Sequence, residues 1–193
     1  MRAFVAVSLP PSLRSKLKKI SLYLRENCPG VKWVSPENIH LTLKFLGEVK
    51  EVRLSRIKKF LDEVVDKHGV IQAEVGGIGC FPNLRRPRVI WVGVKDQRKR
   101  LELLARDIEE KLAQLGFKRE KRKFSGHLTL GRVKKRSSGL LDLEATFRRA
   151  GAESLGSLKI DMILLLKSTL TPRGAVYDTI SEHKLAFRVN SSD

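Results

Sequence analysis

The chain is poor in several residue types, and each shortage excludes something. Among 193 residues there are 2 Cys and 2 Met. Cys28 and Cys80 stand alone with no C-x-x-C spacing, which excludes a disulfide framework or a thiolate zinc site and fits reduced thiols in a cytoplasmic protein. Asn and Gln are scarce as well, a heat-adapted pattern. Long apolar runs are missing: stretches such as Met162 to Leu166 are far too short to cross a bilayer. The N-terminus has a basic residue and then Ala3 to Leu9, but Ser8 interrupts the run and a basic helical pattern follows at once. It reads as a first strand rather than a leader. No H-E-x-x-H appears, and no G-K-[ST] follows the Gly76-Gly77-Ile78-Gly79 cluster, so a zincin or P-loop site is excluded. Acidic residues are also in deficit: 21 against 39 basic ones, a formal charge of +18. Heat adaptation explains many charges but not one sign, so the surplus points to a polyanionic partner such as RNA or DNA.

What is present is a tetrapeptide that occurs twice, His40-Leu41-Thr42-Leu43 and His127-Leu128-Thr129-Leu130. Alternation makes each a strand with His and Thr on one face and two leucines on the other. Lys44 continues the alternation and is expected on the face of His40 and Thr42. The order of elements around the motifs repeats too. Phe4 lies 36 residues before His40, and Ile90 lies 37 before His127. Each interval reads strand, helix, turn, then motif. Such an internal repeat implies two similar lobes about an approximate two-fold axis, with the motifs face to face.

The remaining elements follow from periodicity and turn residues. Leu13, Leu17, Ile20 and Leu24 mark a helix opened by Pro10-Pro11. A second helix is predicted over 51–66, with Val52, Ile57, Phe60, Leu61 and Val64 on its stripe. A third spans 97–115 and stops at Gly116, and a weaker one covers 140–150. Strands are predicted over 70–75, ending in the loose glycine cluster, and over 88–94. A closing hairpin of 157–167 and 175–181 turns at Thr171-Pro172-Arg173-Gly174.

Two imidazoles and two hydroxyls around one small anion suit a phosphate. Phosphodiester cleavage needs a base for the attacking oxygen and an acid for the leaving oxygen. Two histidines can fill both roles, since an unperturbed imidazole titrates at about 6.5. Threonine hydroxyls can donate to the non-bridging oxygens. A metal is not required, and two His without Cys, Asp or Glu at ligand spacing make a poor metal site. His68 and His183 lie outside the repeat and read as surface or structural residues. Basic residues bracket the second motif: Lys118, Arg119, Lys121, Arg122 and Lys123 before it, Arg132, Lys134, Lys135 and Arg136 after it. With Arg85, Arg86 and Arg88 they suggest a track for an RNA backbone.

The paired H-x-T-x motifs resemble those of the 2H phosphoesterases. The flanks RAFVAVSLP, NIHLTLKFLGEV, GIGCFPNLRRPRVIWVGV, HLTLGRV and LLLKSTLTPRGAVYDTI are similar to the RNA 2′,3′-cyclic phosphodiesterase branch, also called the 2′-5′ RNA ligase family. The resemblance implies an α+β fold, a single domain over 1–193 whose two lobes, related by internal duplication, carry antiparallel-rich sheets with outer helices and a cleft between them. It implies hydrolysis of a terminal cyclic phosphate to a 2′-phosphomonoester with no cofactor and no metal. His40 would be the proton donor and His127 the proton acceptor, roles that the near-symmetric motifs do not themselves assign. Thr42, Thr129, Arg132 and Lys44 would bind substrate. The expected partner is RNA with a cyclic phosphate end, tRNA halves included, with a nucleotide as a further candidate ligand, no membrane and a monomeric state. Reversible 2′-5′ ligation and non-catalytic gripping of RNA ends are the competing readings. Two departures stand out. Gly126 replaces the Pro that many relatives carry before the second His, which would loosen the start of that strand. Strict alternation also turns Arg132 away from His127 unless the strand bends.

Overall fold

Leu41 and Leu128, the same position in each tetrapeptide, are paired directly across two antiparallel strands, β3 (Leu41–Glu48) and β6 (His127–Val133). Equivalent residues opposite one another in an antiparallel pair define a local two-fold axis between them. The computed structural model describes residues 1–134, 143–172 and 174–185. Its sheet extends outward from that pair in both directions. On one side come β1 (Arg2–Val7), β8 (Met162–Thr171) and β9 (Gly174–Lys184). On the other come β5 (Val89–Lys95), β4 (Ile71–Phe81) and β7 (Gly156–Ile160), while the short β2 (Val31–Trp33) pairs with the outer part of β6. Every pairing is antiparallel. The result is the expected two-lobed α+β duplication.

Helices α1 (Pro11–Asn27), α2 (Leu54–Val65), α3 (Arg100–Ala113) and α4 (Leu143–Arg149) follow β1, β3, β5 and β6 in turn. Pro11 opens α1, where its missing N–H costs nothing. The helices bury the leucines and isoleucines of their inner stripes against alternate strand residues, such as Ala3, Val5 and Val7 of β1. The intervening residues Phe4 and Ala6 face the other way and, with Leu164 and Leu166, form a second small cluster. Period-two alternation thus separates a helix-covered core from an apolar floor on the opposite face.

Three local expectations are corrected. The predicted strand over 157–167 is two strands in different lobes, β7 beside β4 and β8 beside β1, divided at Asp161. The buried apolar residues slip phase there, from Leu158 and Ile160 to Ile163 and Leu165, so one continuous strand would turn one set outward. Val52 is not on the α2 stripe: it sits in the 3-10 turn Glu51–Arg53 and is 83% exposed. The glycine cluster is not a loose end, because β4 runs through it with a register shift between Gly76 and Ile78. The helix expected over 140–150 is described from Leu143, while 140–142 and Arg173 of the closing turn lie outside the described residues.

Glycine is needed in β4 for close approach. A Cβ on Gly76 would stand 2.2 Å from the Glu153 carbonyl oxygen, and one on Gly79 would meet the Trp91 ring at 2.4 Å. Gly76→Ala must therefore displace backbone, and its expected cost is about 1–3 kcal/mol. Urea unfolding should show a lower midpoint with an unchanged slope; an unshifted midpoint would contradict this packing.

Candidate active site

His40 immediately precedes β3, and His127 is the first residue of β6. Each ring is fixed in the same way. His40 Nδ1 donates to the Asn38 carbonyl at 2.7 Å, and His127 Nδ1 donates to the Ser125 carbonyl at 2.7 Å. A carbonyl can only accept, so both Nδ1 atoms carry hydrogen and both Nε2 atoms are left for chemistry. His40, Thr42, His127, Thr129, Arg132 and Tyr177 line one cleft of about 1110 Å³. Here the structure brings together the residues that the paired motifs single out.

Aromatic rings brace each imidazole. Phe4 lies 4.8 Å from His40 and Tyr177 meets it edge-on at 5.1 Å, while Phe81 meets His127 edge-on at 5.1 Å. The turn before His40 is pinned twice. Arg14 Nη1 donates to the Glu37 carbonyl at 2.5 Å, and Asn38 Nδ2 donates to the Ala175 carbonyl on β9 at 2.7 Å. The carbonyl that orients His40 thus belongs to a residue tied to the strand that carries Tyr177. None of Phe4, Arg14, Asn38, Phe81 or Tyr177 was predicted from sequence, and no spacing rule flags them.

The two environments differ. Burial pushes the His40 imidazole below its ordinary value; the Asn38 carbonyl opposes the shift, and the Arg14 charge adds to it. Burial also raises the Tyr177 phenol, against the nearby charge of Arg132.

The last leucine of each tetrapeptide is a bulge. Along β3 the partners of Val5 and Ala6 are Lys44 and Thr42, so Leu43 is the extra residue. Along β6 the partners of Ile90 and Trp91 are Gly131 and Thr129, so Leu130 is the extra residue. A bulge reverses the alternation beyond it. This turns Arg132 onto the cleft side of Thr129, the bend that strict alternation lacked, and turns Lys44 away from Thr42. Lys44 borders the cleft with a side chain that is 0% exposed, and its Nζ is engaged by Glu109 at 2.7 Å and the Lys118 carbonyl at 2.9 Å. The same Glu109 oxygen accepts the Glu120 backbone N–H at 2.9 Å. The expected face of Lys44 is therefore corrected: it clips β3, α3 and the chain leading into β6.

Gly126 does not loosen that chain. A Cβ there would lie 2.5 Å from the Val94 carbonyl oxygen, and the Gly126 carbonyl accepts the Val94 N–H at 2.9 Å. His68 and His183 are buried and bonded to Asp107 and Asp62, at 2.9 and 2.5 Å, as structural ties. Arg122 and Lys123 line the cleft, Lys123 paired with Glu102 at 3.1 Å, whereas Arg85, Arg86 and Arg88 lie outside its walls. Lys135 and Arg136 lie outside the described residues. Among the described residues, no group of three or more His, Cys, Asp or Glu is gathered to hold a metal, and no helix is long and apolar enough to cross a membrane.

Two imidazoles, each tethered through Nδ1, thus line one cleft of a duplicated fold. The LigT-like phosphoesterase profile matches the chain twice, over residues 7–91 and 92–177, and the chain belongs to this family. It is 45% identical over 177 residues to an RNA 2′,3′-cyclic phosphodiesterase of Archaeoglobus fulgidus, covering 92% of this chain and 96% of that one. It is 37% identical to a protein of the same name from Methanocaldococcus jannaschii, covering 94% and 99%. Among solved structures, TT0787 of Thermus thermophilus superposes with a TM-score of 0.81 at 26% identity, over 97% of this chain and 100% of that one.

Two outcomes test this description. NMR titration of the free protein should give His40 a midpoint below about 6.5, rising when inorganic phosphate is added; a midpoint at or above that value without ligand would contradict its burial. Lys44→Ala leaves Glu109 without its cation and should cost about 3 kcal/mol or more in denaturant unfolding. A loss within error would show that the clip does not hold the strands.

Proposed function

We propose that the protein hydrolyses 2′,3′-cyclic phosphate ends of RNA to 2′-phosphomonoesters, using its own side chains for both proton transfers. The observation that carries the reading is the matched Nδ1 tethering of two imidazoles that line one cleft. The names of the relatives and the net charge of +18 support it. The cyclic phosphate lies between the motifs, and the Thr42 and Thr129 hydroxyls donate to its non-bridging oxygens. His127 Nε2 takes a proton from water as the water oxygen bonds to phosphorus. The P–O3′ bond breaks, and His40 Nε2 gives its proton to O3′, which leaves as the free hydroxyl. The 2′ oxygen keeps the phosphoryl group. Proton exchange with solvent resets both rings.

The depression of His40 bears on this assignment. Burial disfavours the imidazolium that a donor needs, so in the free protein His40 is neutral above its lowered midpoint. A bound phosphate favours the charged form of the donor, which burial opposes. Arg132, turned into the cleft by the bulge, supplies fixed positive charge beside Tyr177. Lys44 acts on substrate only through the strand it holds. RNA ends such as those of cleaved tRNA fit this chemistry. The buried free thiols of Cys28 and Cys80 suit a cytoplasmic setting.

With adenosine 2′,3′-cyclic phosphate in EDTA, the expected product is the 2′-phosphate. His40→Ala and His127→Ala should each lower kcat by roughly a hundred- to ten-thousandfold. Thr42→Val or Thr129→Val removes one hydrogen bond to a charged oxygen, for roughly a ten- to hundredfold loss. A 3′-phosphate product, or turnover undiminished in either His variant, would contradict the mechanism.

A further inference from the structure

Gly131 shows which way the outer part of β6 faces. A Cβ on it would stand 2.6 Å from Val31 Cγ1 and 3.0 Å from the Trp33 ring, and Val31 belongs to the buried core. Lys32 lies between those two residues of β2. It therefore points to the opposite face, beside Arg132, its direct partner across the antiparallel ladder. This is the cleft face, since Arg132 lines the cleft and so does Val34, two residues on from Lys32. Both cations are exposed. Like charges directly opposite in an antiparallel pair repel. Among the described residues neither Lys32 nor Arg132 forms an ion pair. Other cations of the cleft wall are neutralised within the chain: Arg2 by Glu48, Lys44 by Glu109 and Lys123 by Glu102. Two adjacent cations without a carboxylate are arranged for an anion from outside.

Resting on the phosphodiesterase reading, we infer that Lys32 and Arg132 together hold the 5′-phosphate of the terminal nucleotide, the linkage that joins it to the rest of the RNA. The occupant follows from chain order. Thr129 of β6 sets the cyclic phosphate, Arg132 lies further out on the same strand, and Lys32 extends the positive charge onto β2. An RNA strand leaving its cyclic end meets its next negative charge after one nucleoside, and that charge is the 5′-phosphate. A cyclic mononucleotide with a free 5′-hydroxyl has nothing to place there. The cation pair therefore selects the end of an RNA chain over a free cyclic nucleotide, and does so without reading a base. Its repulsion is a cost in the free protein that the substrate phosphate relieves. The guanidinium can take two phosphate oxygens at once, while the ammonium acts as a point charge.

The test compares adenosine 2′,3′-cyclic phosphate with its 5′-phosphorylated form by kcat/KM. It also compares adenosine 2′-phosphate with adenosine 2′,5′-bisphosphate by calorimetric affinity. The wild type should prefer the 5′-phosphorylated member of each pair, and less so as salt rises. In Lys32→Gln that preference should fall roughly tenfold, mainly through KM, and Lys32→Arg should keep it. Lys32→Gln should also unfold in urea at an unchanged or higher midpoint, since it removes a repulsion; a lower midpoint would make the lysine a structural tie and count against the inference. A wild type indifferent to the 5′-phosphate overturns it, as does a preference that survives Lys32→Gln. So does a preference lost instead in Arg122→Gln, which would send the RNA past the segment before His127, where Arg122 lines the cleft. Turnover of neither cyclic compound would count against the hydrolase reading alone, because the two affinities still decide whether the cations hold a 5′-phosphate.

Discussion

The leucine pair Leu41–Leu128 is the contact on which the site depends. It sits where two strands of like sequence meet about a two-fold axis, and both side chains are 0% exposed. Because the leucines fill the core beneath the sheet, the flanking His and Thr of each strand must face the other side. Among the described residues a single pair registers β3 against β6, and residues on the open face of both strands line the cleft. Burial of four motif leucines thus fixes the direction of four polar groups. The carbonyls of Asn38 and Ser125 complete the arrangement by choosing which ring nitrogen each imidazole presents.

The bulges add what alternation alone lacks. A regular strand would carry Lys44 and its counterpart Gly131 into the cleft and keep Phe45 and Arg132 out. One extra residue in each strand exchanges the pairs. The lysine side chain goes inward to a carboxylate and a carbonyl that satisfy it, and an arginine and an aromatic ring come to the cleft side. Lys44 is then the more constrained residue: an ammonium with no exposed side-chain surface is tolerable only because Glu109 and the Lys118 carbonyl are in place.

Much of the fold was legible because it was written twice. The tetrapeptides, the helical stripes of Leu13 to Leu24 and Leu101 to Leu112, and the repeat spacing all express burial, which has a period. The unreadable parts depend on contacts between distant segments. Nothing at Leu43 or Leu130 marks a bulge, since leucine suits a regular buried strand equally well, and so Lys44 was expected on the face of Thr42, while the side taken by Arg132 hung on a bend that alternation does not contain. The glycines of β4 read as a loose turn because the Glu153 carbonyl and the Trp91 ring that crowd them come from elsewhere in the chain. Asn38 and Tyr177 act through β9 and have no signature near the motifs.

Catalysis by this route requires both imidazoles to serve one phosphorus atom. A crystal structure with orthovanadate and a 3′-deoxynucleoside or uridine bound in the cleft would show this directly. His40 Nε2 and His127 Nε2 should each lie within hydrogen-bond distance of oxygens on the same vanadium, with the Thr42 and Thr129 hydroxyls on the others. Vanadate held by one imidazole, with the second ring bonded elsewhere or turned from the cleft, would contradict a shared site.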